Sequence, residues 1–121
     1  MRFRKKIVDL KRTCVACPSQ WEARTKDDRP VYVRYRWGYL SVMMGKKGES
    51  IDDAIINGVQ VCGEQFGESM DGLLPYYAMK KLTKKYFKWP KEGGGEDQEM
   101  SFFENIAEFI QKLDEETKED V

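Results

Sequence analysis

The chain contains no histidine. That removes the commonest general base near neutral pH and the commonest nitrogen ligand for a metal. Long apolar runs are missing too. Nothing approaches the roughly 18 apolar residues of a membrane span, and the opening "MRFRKKIVDLKRT" lacks the apolar stretch of about 7–15 residues that a secretory signal requires. Cysteine is scarce and odd in number: Cys14, Cys17 and Cys62. An odd count fits a reducing compartment better than a disulfide framework, so the expectation is a cytoplasmic protein with no membrane association.

The signatures of catalysis are absent as well. "GEQFGES" bears glycines but matches neither GxxxxGK[ST] nor GxGxxG, so no phosphate loop is read there. Carboxylates such as Glu22, Asp27, Asp28 and Glu64 form no recognisable constellation. "CVAC" is half of a zinc site. Its only soft complement is Cys62, which leaves Cys14, Cys17 and Cys62 plus a carboxylate as a weak candidate set. As a redox motif it lacks the βαβ context that stabilises a thiolate. The expectation is free thiols at a tight turn, no metal, no cofactor and no catalysis.

Net charge is zero, with 21 basic and 21 acidic side chains. The balance hides an asymmetry. Residues 1–91 hold 19 basic and 10 acidic side chains, net +9, and residues 92–121 hold 2 and 11, net −9. At 121 residues the chain is one domain. It divides into a basic α+β body, 1–91, and an acidic remainder, 92–121, made of a linker, an amphipathic helix over about 101–114 and a frayed tail. A basic body calls for an anionic partner.

The organisation reads β first, then α. "KKIVDLKRT", "QWEART", "VYVRYRW" and "YLSVMM" alternate as half-buried strands do, with "KDDRP" and Gly38 as turns. Ser50 with Asp53 is a helix start and Asn57-Gly58 a stop. "VQVCGEQFG" is a further strand. Leu74, Ala78, Leu82 and Tyr86 recur at four-residue spacing, which predicts a helix over 73–88, with Lys80, Lys84 and Lys88 along another line. "WPKEGGGEDQE" reads as a linker. Ser101 and Glu104 form a capping box. Phe102, Ile106, Phe109, Ile110 and Leu113 make one apolar stripe, too large to stay free, which must pack on the sheet, on the basic helix or on a second copy. The fold class is therefore α+β: an N-terminal antiparallel meander of three to five strands packed on one face against two or three helices.

The meander places Val31, Val33, Tyr35 and Trp37 on one side of its central strand and Tyr32, Arg34 and Arg36 on the other. Trp21, Ala23 and Thr25 match the apolar side, while Glu22 and Arg24 match the polar side. Beyond Gly38 the parity is uncertain by one residue, because a bulge there would exchange Tyr39, Ser41 and Met43 with Leu40, Val42 and Met44. Arg24, Tyr32, Arg34, Arg36 and Tyr39 are the candidate ligand-binding residues. Guanidinium groups fork onto phosphate, and tyrosines stack on bases. The competing account is a solvated sheet face whose arginines pair with Glu22. Lys80, Lys84 and Lys88 form a secondary basic patch.

The expected function is non-catalytic capture of an anionic ligand, a nucleotide or other small phosphate molecule or a nucleic acid, on the Arg/Tyr face. The alternative is a protein-interaction module, an inhibitor or adaptor, that engages a partner or a second copy through the C-terminal helix or acidic tail. The size and the lack of enzyme motifs suit a small accessory protein such as a bacteriophage carries.

Overall fold

The first half of the chain forms four strands in sequence, β1 (Lys5–Cys14), β2 (Ser19–Thr25), β3 (Pro30–Arg36) and β4 (Tyr39–Met44), with period-2 alternation in the last three. The computed structural model describes residues 4–68 and 72–119. Helix α1 (Ile51–Asn57) follows, then β5 (Val59–Gln65), α2 (Tyr76–Thr83), β6 (Phe87–Lys88) and α3 (Glu96–Glu119). The six strands form one sheet in the order β5-β4-β3-β2-β1-β6. Pairing is antiparallel from β5 to β1, and β6 joins β1 in parallel. The architecture is α+β.

Trp37 and Gly38 settle the parity of the β3–β4 hairpin. Both have positive φ, 58° and 74°, as the two-residue turn matching strand twist requires. With two residues in the loop, Arg36 pairs with Tyr39, Arg34 with Ser41 and Val33 with Val42. No residue is inserted, so Tyr39, Ser41 and Met43 share the face of the arginines. Trp37 itself leaves the core face, contrary to expectation. A residue at φ 58° has left the strand, and Trp37 is 57% exposed.

The core face carries Trp21, Val31, Val33, Tyr35, Leu40 and Val42, all buried. Leu74, Tyr76, Met79 and Phe87 cover it from the second half of the chain. Helix α1 lies on the opposite face. Its capping box, Ser50 with Asp53, forms as the sequence predicts, and the bonds from Ser50 hold the Asp53 carboxyl below its ordinary range. Ala54 is fully buried. Ile51 borders a hollow with Glu22 and Arg24, and Ile55 borders another with Tyr32 and Arg34. Helices therefore stand on both faces, not on one.

The second half departs from the sequence expectation in three places. The helix expected over 73–88 is only Tyr76–Thr83. Thr83 turns its hydroxyl back onto the Met79 carbonyl and receives the Trp89 indole N–H at 2.7 Å. The chain then extends so that Phe87 is buried and pairs with Lys5. Pairing and burial of Phe87 outweigh continuation of a short helix. The glycine run is a lid, not a linker. The Gly94 carbonyl accepts the Trp21 indole N–H at 2.8 Å, and Gly94 is packed against Tyr76. Helix α3 begins at Glu96, five residues before the predicted capping box, so Ser101 and Glu104 lie in its interior. The helix runs on to Glu119, where fraying was expected from Asp114; the two final tail residues lie outside those described.

A Cβ on Gly94 would overlap the Tyr76 ring, which cannot swing aside because its hydroxyl donates to the Pro90 carbonyl at 2.6 Å. Gly94→Ala is expected to cost about 1–3 kcal/mol through overpacking. Chemical denaturation followed by tryptophan fluorescence measures it, and an unchanged midpoint would mean that the loop does not rest on Tyr76.

One buried ion pair roots α3. Arg12 lies on the core face of β1, its guanidinium 4.4 Å from the Trp21 ring centre. Its side chain is 0% exposed and that of its partner Glu99 11%. Nη1 donates to Glu99 Oε1, and Nη2 donates to the carbonyls of Val15 (2.8 Å) and Leu74 (2.9 Å). Glu99 Oε1 also accepts the Tyr76 backbone N–H at 2.6 Å, which caps α2 in place of a side chain at Pro75. Burial draws the Arg12 guanidinium below its usual pKa, and Glu99 opposes that shift.

A candidate anion-binding hollow on the arginine face

The face opposite the core is concave where β3 and β4 meet α1. Tyr32, Arg34, Arg36, Trp37, Tyr39, Ser41, Met43 and Ile55 enclose a hollow of about 520 Å³. Small-molecule sites commonly occupy about 300–1,000 Å³. The walls that the strands supply follow from local structure. Strand alternation sets Tyr32, Arg34 and Arg36 on one side of β3, and the two-residue turn carries that parity into Tyr39, Ser41 and Met43. The same turn throws Trp37 to the rim, where Arg36 stacks on it with 4.9 Å from guanidinium carbon to ring centre. Four of the five candidate residues, Tyr32, Arg34, Arg36 and Tyr39, thus meet in one place.

Arg24 stands apart. Its Nε donates to Asp28 Oδ1 at 2.7 Å and its Nη2 to the Glu49 carbonyl at 2.6 Å. It ties the β2–β3 turn to the segment before α1. The difference was hidden in the loop, because Asp28 reaches it only through a positive φ of 63°.

Pairing with Glu22 does not occur. Across the strands Arg34 lies opposite Gln20 and Ser41, while Glu22 lies opposite Tyr32 and Lys11. The four ion pairs among the described residues are Lys5–Asp27, Arg12–Glu99, Arg24–Asp28 and Arg29–Asp27. Neither Arg34 nor Arg36 takes part in one. Arg34 Nε is buried and has no hydrogen-bond partner among the described residues. Buried donors are nearly always paired in folded proteins, so an orphan calls for an explanation. Beside it, Tyr32 accepts from Gln20 Nε2 at 2.5 Å. Burial pushes the Tyr32 hydroxyl above its usual pKa, and Arg34 pulls the other way.

The secondary basic patch also converges, although its lysines sit on different elements. Lys80 and Lys81 lie on α2, Lys84 caps it and Lys88 lies on β6. With Arg4, Phe87 and Trp89 they line a more open hollow of about 430 Å³. A larger hollow, about 710 Å³, lies over β1 beside the glycine lid. It is lined by Glu92, Glu96 and Asp97 against Lys11 and the already committed Arg12, a poor setting for an anion.

The cysteines do not assemble. Cys14 and Cys17 flank the β1–β2 connection, whereas Cys62 lies on the edge strand β5. Four strand spacings of about 4.8 Å separate β1 from β5. Cys62 is buried, Cys17 exposed and Cys14 between the two. Among the described residues no group of three or more Cys, Asp or Glu side chains could hold a metal ion. No described helix is long and apolar enough to cross a membrane.

Sequence reasoning set Ser41 and Met43 on this face, subject to the turn, without naming them as candidates; it assigned Trp37 to the core face and missed Ile55 as a wall of the hollow. Ser41 and Met43 were legible once the turn was known to hold two residues. Ile55 needed the position of α1, which no local pattern encodes. No protein-family model, curated protein or solved structure matches the chain.

Proposed function

We propose that the protein binds a nucleotide, free or as a unit of single-stranded nucleic acid, in the hollow between Arg34, Arg36, Trp37 and Tyr39. The observation that supports this reading is a pair of guanidinium groups with no carboxylate partner among the described residues, one of them with a buried orphan N–H. A phosphate oxygen would satisfy that donor and draw a second bond from Arg36. Trp37, Tyr32 and Tyr39 provide ring faces for a base. Ser41 adds a hydroxyl that can donate to a phosphate or sugar oxygen.

Trp37 is itself the reporter, since it stands exposed at the rim while Trp21 is buried. Mononucleotides, single-stranded oligonucleotides and duplexes are titrated against the protein at low and high salt. The expected result is saturable quenching by mononucleotides and single strands that weakens as salt rises, with duplexes weaker because their bases cannot reach the rings. Duplex binding at equal strength would move the contact to backbone charge alone. No binding of any of these ligands would overturn the proposal.

A further inference from the structure

Helix α3 leaves the body after Glu99 and keeps its apolar stripe at the surface. Phe103, Ile106 and Ile110 are exposed, and Phe109 is 64% exposed. Leu113 closes the row at 45% exposure. Phe103, Ile106, Ile110 and Leu113 follow one another at spacings of three, four and three. That is the a/d seam of a two-stranded helical pair, with Phe102 and Phe109 beside it. Glu104, Glu108 and Glu115 fall on the opposite side of the helix.

We infer that this stripe is the contact with a second copy of the same chain, formed by pairing α3 with α3. Three observations select that occupant. The described part of the body does not cover the stripe: Glu99 is held in the body by Arg12 and the Tyr76 N–H, and the stripe starts one turn farther along the same unbroken helix. The seam is self-complementary: Glu104, Glu108 and Glu115 lie behind it and only Asp114 flanks it, so two copies join faces that are apolar along the seam. The area also suffices. Phe103, Ile106, Phe109, Ile110 and Leu113, each about half exposed, present about 500 Å² per copy, so a pair buries about 1,000 Å², the lower bound for a specific interface. A long helix also draws most of its stability from packing its amphipathic face, and past its first turn α3 receives little from the body.

The test is sedimentation of the full chain over a range of concentration, for wild type, Ile110→Glu, Ile106→Glu and the conservative Ile110→Leu. Position 110 is surface in the single chain, so the body should fold in every variant; the buried Trp21 emission checks this. The expected result is a wild-type dimer, retained by Ile110→Leu, with association weakened at least about tenfold in both glutamate variants. It should resist added salt, since the seam is apolar. A monomeric wild type would overturn the inference. So would a dimer that survives both glutamate substitutions. A dimer that dissolves on added salt alone would also overturn it, because the contact would then join acidic α3 to the basic hollow at Lys80 and Lys84.

Discussion

Glu99→Ala is expected to be the most destabilising single substitution at a polar position, by about 3–5 kcal/mol. The change leaves the Arg12 guanidinium buried against Trp21 with no counter-charge. It also strips the cap from the Tyr76 N–H at the start of α2. Against a total of about 5–15 kcal/mol for a domain, the loss is a large part of the whole. Glu99→Gln should cost less, since the amide oxygen still accepts from both donors while the charge is lost. The double variant Arg12→Met/Glu99→Leu should recover much of the loss, because apolar groups of similar volume leave no orphan charge. Urea denaturation of the four proteins decides the matter. If Glu99→Ala lies within about 1 kcal/mol of wild type, the range of an exposed pair, then the first turn of α3 is not anchored and its direction is not fixed by the body.

That ion pair had no legible signature in the sequence. Arg12 and Glu99 are separated by 87 positions, and neither sits in a motif. Arg12 looked like one more charge in a basic N-terminus. Its burial follows from pairing opposite Trp21 across β1 and β2, a register that includes two irregularities, near Asp9 and near Cys14. Local alternation cannot be carried through those. Glu99 was masked by composition. Read together, three glycines and four carboxylates resemble a solvated linker. In the fold the acidic residues Glu96, Asp97 and Glu99 are the first turn of α3, where carboxylates meet the helix dipole favourably.

What was legible is whatever a short window decides. Strands β2 to β4 have period-2 patterns closed by turns of a few residues. Helix α1 has a complete capping box. The face assignment around Arg34 followed from strand geometry alone. What failed was decided at long range. Helix α2 stops early because Phe87 pairs with Lys5, more than 80 residues away. The glycine run is needed because Tyr76 and Trp21 occupy the space a side chain would take. For α3 the apolar stripe was visible and its burial within one chain was not, since an amphipathic face says only that something covers it.

Arg34→Ala and Arg36→Ala are each expected to weaken nucleotide binding by about 1.5–3 kcal/mol, the worth of a charge-assisted hydrogen bond, or roughly 10- to 150-fold in Kd. Their effects on stability should be small and of different kinds. Arg36 loses an exposed stack on Trp37, worth about 0.5–1 kcal/mol. Arg34 removes a buried donor that has no partner among the described residues, so its loss should be close to neutral. Stability near wild type with binding greatly reduced would separate a site from a structural sheet face. Arg34→Lys should recover only part of the affinity, because an ammonium lacks the planar fork that reaches two oxygens. Trp37→Ala should cost about 1–3 kcal/mol of affinity if a base stacks there. Arg24→Ala is the control. Its guanidinium is committed to Asp28 and Glu49, so affinity should be unchanged. Isothermal titration of these variants with a mononucleotide reads all of these effects. Affinity that survives both Arg34→Ala and Arg36→Ala would place the anion elsewhere, and Lys80, Lys84 and Lys88 around Trp89 would be the surface to substitute next.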